Sequence, residues 1–167
     1  MNKFMLKTLS AAALAGALST AAVADEPQFG VGVGIAGQDS ALIKGTITLE
    51  DNLRLEPFLG FTYQDGDNTS VTNFQIGTAL EVMKPISSKI TGYYGGYVGI
   101  LTSSADYTYG NTTTSVSNTN FNLGPVAGVE YAFDKQFTLG AEVRFDLGFG
   151  DVTTFGTNSS VLLRYYF

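Results

Sequence analysis

The stretch FTLGAEVRFDLGF, residues 137–149, decides how this chain folds. Every odd-numbered position in it is apolar, whereas the even-numbered positions carry Glu142, Arg144 and Asp146 among small residues. A period of two is the pattern of a β-strand with two unlike faces. The stretch is also longer than the five or six residues of a typical soluble strand. It therefore predicts a long strand that separates a charged face from an apolar face.

The same period recurs along most of the chain and predicts an all-β protein without helical segments. We expect eight strands, at 28–36, 41–50, 53–64, 72–83, 90–103, 118–133, 137–149 and 159–167. After the first connector, tight turns at 51–52, 85–88 and 134–135 alternate with longer, very polar segments. Short turns at one end and long loops at the other are typical of antiparallel barrels that span a bacterial outer membrane.

The charged residues inside the predicted strands fall on one face, and the opposite face is nearly all apolar. This charged set has six acids and four bases: Lys44, Glu50, Arg54, Glu56, Glu81, Glu130, Glu142, Arg144, Asp146 and Arg164. A soluble barrel or sandwich would turn the apolar face inward, whereas a membrane barrel turns it toward lipid.

Three features favour the membrane arrangement. The charged face also carries many glycines, such as Gly30, Gly32 and Gly34, which suit a crowded interior. The strands are long enough for the roughly 9–11 tilted residues that cross a bilayer. Aromatic residues cluster at strand ends, as in interfacial girdles. A soluble exported barrel that binds a small hydrophobic ligand remains an alternative.

The first residues predict export. Two lysines, a short apolar segment and the Ala22-Val23-Ala24 sequence fit a secretory signal peptide that ends at Ala24, with cleavage specified by Ala22 and Ala24. We expect a cleaved segment 1–24 and one barrel domain, 25–167. Cleavage would remove two of the nine bases and none of the 15 acids, which leaves a net charge of −8. That charge argues against binding nucleic acid. Since the chain has neither Cys nor His, disulfides, Ser-His hydrolysis and His-bound zinc are excluded.

The chain ends in SVLLRYYF, with Val161, Leu163, Tyr165 and Phe167 on the apolar parity. With its signal peptide, eight strands and terminal aromatic strand, the chain resembles the small outer-membrane β-barrels of the OmpA/OmpX-like class. The resemblance implies that these four residues form the signal read by the barrel-assembly machinery. It also implies a monomeric, multi-pass protein of the Gram-negative outer membrane. Two departures are the very short first outer loop, near 37–40, and the absence of a peptidoglycan-binding domain after Phe167.

The charged face predicts an ion-pair network in the lumen, because isolated buried ions are costly. A last hairpin centred near residue 153 would place Arg164 across from Glu142, with Arg144 and Asp146 nearby. A turn centred on Asn52 would place Glu50 across from Arg54, with Glu56 close. The network is interpreted first as a polar plug that holds the fold, and otherwise as a gated conduit or a catalytic pair.

The strand 90–103 cannot be oriented from the sequence. Tyr93 and Tyr97 share one parity, and Tyr94, Val98 and Ile100 share the other. Alternation continues through Tyr107 and Tyr109, so the 103–119 loop is interpreted as a stiffened loop or as a projecting hairpin that pairs with an extracellular partner.

These observations predict a non-enzymatic outer-membrane barrel that binds no metal or other cofactor. Its expected role is structural or surface-interactive, in adhesion or envelope integrity. The alternative is a narrow, porin-like pore or transporter for small or apolar solutes.

Overall fold

The computed structural model describes residues 28–37, 40–49, 52–110, 112–151 and 153–167. The predicted signal peptide, with Ala22 and Ala24, and Glu50 of the charged set lie outside these described residues. None of the described residues belongs to a helix that could cross a membrane. The chain forms eight strands: β1 (Gln28–Ala36), β2 (Ser40–Thr48), β3 (Leu53–Asp65), β4 (Thr69–Pro85), β5 (Ile90–Tyr109), β6 (Thr112–Ala132), β7 (Phe137–Gly150) and β8 (Thr154–Tyr166).

The strands close into one antiparallel barrel, as the sequence predicts. Each strand pairs with the next, and β1 pairs with β8, for example Val31 with Tyr165. Closure is possible beside bulky lumenal side chains because β1 turns glycines inward. A Cβ atom at Gly34 would lie 2.7 Å from Cδ2 of Leu162. Closure leaves no unpaired edge inside the bilayer, which a membrane barrel requires.

The two faces of the wall have the polarity that the charges predict. Lys44, Arg54 and Arg164 are at most 1% exposed, whereas Leu163 and Val161 on the opposite parity are 45% and 56% exposed. The charged face is therefore the lumen, and the apolar face meets lipid. Strand β5 takes the same sense, because Tyr93 and Tyr97 are buried and Tyr94 and Val98 are exposed.

Aromatic residues mark two levels on the lipid face. The outer girdle contains Tyr63, Phe74, Phe121 and Phe149, and the periplasmic girdle contains Tyr131, Phe133, Phe137, Tyr165 and Phe167. Along β6, Phe121 and Tyr131 are ten residues apart. At about 3.4 Å per residue and a tilt of about 45°, they lie roughly 24 Å apart along the membrane normal. That distance matches the apolar band of about 25 Å found in outer-membrane barrels.

The prediction of long polar outer loops is wrong. The outer connectors cover only 37–39, 66–68, 110–111 and 151–153, because the strands continue through the polar segments. Of the two interpretations of residues 103–119, the stiffened loop is wrong and the projecting hairpin is confirmed, because β5 and β6 remain paired as far as Tyr109 and Thr112. Its Ser and Thr side chains hydrogen-bond across the hairpin, as between Ser104 and Ser117, and such cross-strand pairs stabilise a sheet without apolar residues.

The polarity of the two faces exchanges in this projecting hairpin. Ser104, Thr108 and Ser117 lie beyond the outer girdle. They occupy the alternate positions that, within the membrane part of the same strands, face lipid. Tyr107 and Val116 stand on the parity that faces the lumen below, and they are 39% and 47% exposed. The exchange shows where lipid ends, since water rather than hydrocarbon surrounds the hairpin above the girdle.

Candidate functional site: the barrel interior

The lumen is built in three layers. A set of seven charged side chains, which we call the inner cluster, fills the periplasmic half: Lys44, Arg54, Glu56, Glu81, Glu130, Glu142 and Arg164. An apolar layer lies above it, formed by Leu42, Phe58, Ala79, Tyr97, Val126 and Leu162. Above this layer, a polar cavity of about 370 Å³ lies in the outer half of the barrel.

Glu56 is the centre of the inner cluster. Its carboxylate lies 2.8 Å from Lys44 Nζ and 2.9 Å from Arg164 Nε. Lys44 Nζ also lies 2.5 Å from Glu142 Oε2, and Arg164 Nη1 lies 2.9 Å from Glu130 Oε2. Each of these bases therefore joins two carboxylates that come from different strands.

Arg54, on the same strand as Glu56, completes the inner cluster. Its Nη2 donates to Glu81 Oε2 at 2.7 Å, and its Nη1 donates to Glu130 Oε2 at 2.9 Å. Its Nε lies 3.4 Å from Glu56 Oε1. Such pairing offsets the large cost of removing these charges from water.

Two tyrosines that sequence reasoning did not select support the inner cluster. The guanidinium of Arg54 lies 4.3 Å from the centre of the Tyr93 ring. The hydroxyl of Tyr166 donates to Glu130 Oε1 at 2.9 Å. Tyr93 fits inside because its partner across the sheet is Gly128, where a Cβ atom would overlap the ring. A glycine directly across the sheet from a tyrosine thus indicates a tyrosine that faces the lumen. This signal requires the pairing register of the strands, which the sequence alone does not give.

The structure separates Arg144 and Asp146 from the inner cluster. They lie above the apolar layer, where Arg144 contacts the rings of Phe58 and Tyr97 at 4.9 and 5.0 Å. The hydroxyl of Tyr97 donates to Asp146 Oδ1. The described part of the lumen therefore holds two separate charged sites rather than the single network that the shared parity indicated.

The expected centres of two hairpins are wrong, by two residues in one and by one residue in the other. Glu142 pairs with Ser160, which centres the β7–β8 hairpin on residue 151, and Arg164 pairs with Thr138. Arg164 still reaches Glu142 at 3.8 Å, because the two residues lie on adjacent strands and the long side chain of Arg164 covers the offset between them. Arg54 pairs with Thr48 and not with Glu50. Turn residues alone did not locate the centres of these hairpins.

Three carboxylates of the inner cluster have the spacing of a metal site. Oxygen atoms of Glu56, Glu81 and Glu142 lie within 4.8 Å of one another. However, Lys44 already binds Glu56 and Glu142, and Arg54 binds Glu81. With four carboxylates and three bases, the inner cluster carries a formal charge of −1. The position of a divalent cation is therefore already taken by basic side chains.

Val161, Leu163 and Tyr165 of the expected assembly signal lie along β8 on the lipid face, and Phe167 follows directly after this strand. Tyr165 contacts Phe137 and Phe167, with ring centres 4.9 and 5.2 Å apart. The backbone N–H of Phe167 donates to Phe29 O at 2.9 Å. Val161, Leu163 and Phe167 are 40% to 56% exposed, so they remain accessible along the outside of the barrel.

Comparison with known proteins gives one family and a set of similar folds. A family model described as "Outer membrane protein beta-barrel domain" matches residues 8–167. Among solved structures, Neisserial surface protein A has a TM-score of 0.60 at 18% identity, with 84% of this chain and 96% of that chain covered. A major outer membrane protein from Thermus thermophilus has a TM-score of 0.57 at 12% identity, with 86% and 100% covered.

Ail, the attachment invasion locus protein of Yersinia pestis, has a TM-score of 0.55 at 12% identity, with 84% and 97% covered. At these identities the likeness shows the fold. No curated protein sequence matches this chain.

Proposed function

Because the chain belongs to the family of outer-membrane protein β-barrel domains, which places it in the bilayer of the outer membrane, we propose that it is a non-enzymatic, non-conducting barrel that binds an extended polypeptide outside the cell. The observation that carries this proposal is a free strand edge on the projecting β5–β6 hairpin. A closed lumen supports the first part of the proposal, and the hairpin supports the second.

The lumen offers no continuous path through the described residues. In the inner cluster, Arg54, Glu56, Glu81 and Arg164 are fully buried. The apolar layer above adds Leu162, which is also fully buried. An eight-stranded barrel has an interior that side chains alone can fill. We therefore expect a purified, folded barrel to give no conductance steps in planar lipid bilayers, and regular steps would favour the pore.

The free edge belongs to the outer part of β6. Within the described residues, β6 pairs with β7 only from Asn120 onward, where Asn120 meets Gly150. Residues 112–118 pair with β5 alone and are all exposed. They carry no charge and no proline, although natural edge strands commonly use both to prevent pairing with other chains. An unprotected edge of this kind is a template for strand addition.

The backbone groups of this edge can be assigned to individual residues. Thr119 N donates to Asp151 Oδ2 at 3.0 Å on the β7 side of the strand. Since N–H direction alternates along a strand, Thr113, Ser115 and Ser117 direct their N–H and C=O groups to the same side. These three residues form the site where an extended peptide would pair.

Proline substitution tests the edge without breaking the hairpin, because proline is tolerated where the N–H faces solvent. The variant carries Ser115→Pro and Ser117→Pro, and its matched control carries Ser115→Ala and Ser117→Ala. Attachment of cells that display each protein would be counted on surfaces coated with fibronectin, laminin or collagen. Attachment is the activity for which Ail, the attachment invasion locus protein, is named.

We expect the wild type and the alanine control to attach equally, and the proline variant to fall to the level of cells without the protein. Equal attachment of the proline variant would contradict the role of the edge. No attachment by the wild type to any of the three surfaces would contradict the proposed adhesive role.

The terminal strand supports a second partner, the barrel-assembly machinery. Val161, Leu163, Tyr165 and Phe167 present an apolar row that such a receptor can bind before the barrel closes. Phe167→Ala is expected to lower the amount of folded protein in the outer membrane, with Phe155→Ala as a control on the same strand and parity. Equal amounts of both variants would count against the terminal residue as the signal.

A further inference from the structure

The polar cavity above the apolar layer has the size and lining of a small-ligand site, and the proposed function does not use it. Its volume of about 370 Å³ lies in the range of known ligand pockets. Strands from both sides of the β1–β8 closure line it, and it is located at the end of the barrel that bears the projecting hairpin. It is therefore reached from outside the cell, and the apolar layer separates it from the inner cluster.

Arg144 lines this cavity and is the buried base without a carboxylate. It is only 4% exposed, and none of the ion pairs among the described residues includes it. Its Nη2 donates to Gln75 Oε1 at a long 3.4 Å, and its Nη1 has no hydrogen-bond partner there. The nearest acid along the strand, Asp146, instead accepts the hydroxyl of Tyr97.

An unpaired buried guanidinium is costly, and its cost falls when an anion binds. The guanidinium carbon of Arg144 lies 4.9 and 5.0 Å from the ring centres of Phe58 and Tyr97, which contact each other edge to face. These contacts restrict the position of the guanidinium, and a guanidinium fork suits the two oxygens of a carboxylate.

The rest of the lining is uncharged apart from Asp146, and it is rich in hydroxyl and amide groups. The side-chain oxygens of Asn122 and Asn158 are buried and have no hydrogen-bond partner among the described residues. Such acceptors require donors, and a ligand with hydroxyl groups supplies them. Asp146 disfavours a ligand with two negative charges, and the polar lining disfavours an apolar ligand.

We propose that this cavity binds a small hydroxylated carboxylate of the sugar-acid class. The carboxylate pairs with Arg144, and the ligand's hydroxyl groups donate to Asn122 and Asn158. The bound anion supplies Arg144 with the carboxylate partner that it lacks among the described residues.

The test is a titration of the purified, folded barrel in lipid nanodiscs by isothermal calorimetry. The probes are D-glucuronate, D-glucose and acetate. We expect saturable binding of D-glucuronate, with D-glucose and acetate each at least tenfold weaker, because each lacks one half of the recognised chemistry. D-Glucose or acetate binding as tightly as D-glucuronate would overturn the proposal, as would the absence of saturable D-glucuronate binding.

Two variants and a control assign the site. Arg144→Gln is expected to weaken D-glucuronate binding at least tenfold, whereas Lys135→Gln, which removes a base from a periplasmic turn, leaves it unchanged. Asn122→Asp adds a negative charge to the lining with little change in shape and is expected to weaken D-glucuronate binding more than tenfold. It serves as the deciding variant if Arg144→Gln does not fold, as judged by the heat-dependent shift in gel mobility. Wild-type affinity in whichever of the two variants folds would overturn the assignment.

Discussion

The contribution of the inner cluster to the free energy of unfolding can be measured through one ion pair, that of Arg54 with Glu81. Among the ion pairs of the described residues, Glu81 contacts only Arg54, at 2.7 Å, whereas Glu56 and Glu130 also contact Arg164. Arg54→Met therefore leaves Glu81 as a buried carboxylate without a cation. Loss of one partner of a buried pair costs about 3–5 kcal/mol in free energy of unfolding.

The second substitution, Glu81→Gln, should cost less, because Arg54 keeps two carboxylates; we expect about 1–2 kcal/mol for the lost charged hydrogen bonds. In the double variant the unpaired charge is gone. We expect it to be more stable than Arg54→Met alone, with a coupling energy of about 2–3 kcal/mol between the two positions.

Stability would be measured by urea unfolding in phospholipid vesicles. Because the chain has no tryptophan, the folded fraction is best read from the mobility of unheated samples on a denaturing gel. The reasoning is refuted if Arg54→Met loses less than about 1 kcal/mol, or if the double variant loses the full sum of the two single losses.

Three further predictions concern the wall and a turn. Gly128→Ala places a methyl group against the Tyr93 ring and should lower the free energy of unfolding in urea by about 1–3 kcal/mol. Gly96→Ala, where the nearest neighbour of the added Cβ atom is at 3.7 Å, should leave the free energy of unfolding unchanged. Equal losses in the two variants would contradict the packing of Tyr93 against Gly128. Val143→Lys, in the middle of the lipid face, should lower the free energy of unfolding by about 2–4 kcal/mol, and a lysine in the periplasmic girdle should lower it by about 0–1 kcal/mol. A loss that does not depend on depth would contradict the assigned position of the barrel in the membrane. Two backbone N–H groups donate to the Asp134 carboxylate at 2.8 Å and hold its pKa below the ordinary value of 3.8. These hydrogen bonds therefore stabilise the folded state above pH 3.8, and their contribution is lost as the pH falls through the folded-state pKa. The melting temperature of Asp134→Ala should therefore lie below that of the wild type at neutral pH, and the difference should close only in acid; a difference that persists unchanged in acid would contradict this.

The sequence was sufficient for the number of strands and for the sense of both faces. Side-chain polarity alternates with a period of two in β7 and β8, and charged residues such as Glu142 and Arg164 identify the face that points into the lumen. Both properties are local, since each depends on neighbouring residues along one strand.

The registers could not be predicted in the same way, and the sequence left the outer hairpin as one of two interpretations of residues 103–119. Register depends on the geometry of a turn, and a small shift in the centre of the last hairpin moves the partner of Arg164 from Glu142 to Thr138. Above the membrane, Ser, Thr and Asn predominate and the alternation continues mainly through Tyr107, Tyr109 and Val116, so residues 103–119 resemble a loop in composition although they pair as strands.

The candidate sites were only partly visible for a related reason. The charged parity located the bases and acids of the lumen, but it carried no information on depth. The apolar layer that separates Arg144 from the inner cluster is built from Leu42, Phe58 and Leu162, which lie on the charged parity themselves. Only the three-dimensional stagger of the strands shows that these residues share one level.

The inner cluster also has a consequence for biogenesis. Its seven members come from β2, β3, β4, β6, β7 and β8, and Tyr93 adds β5. Until the last strand arrives, Glu56 and Glu130 lack Arg164, so a partly assembled barrel would expose unmatched charge to hydrocarbon. The penalty is lifted only in the final step. We therefore expect insertion to be cooperative, because the closing strand carries Arg164, which pairs with both Glu56 and Glu130.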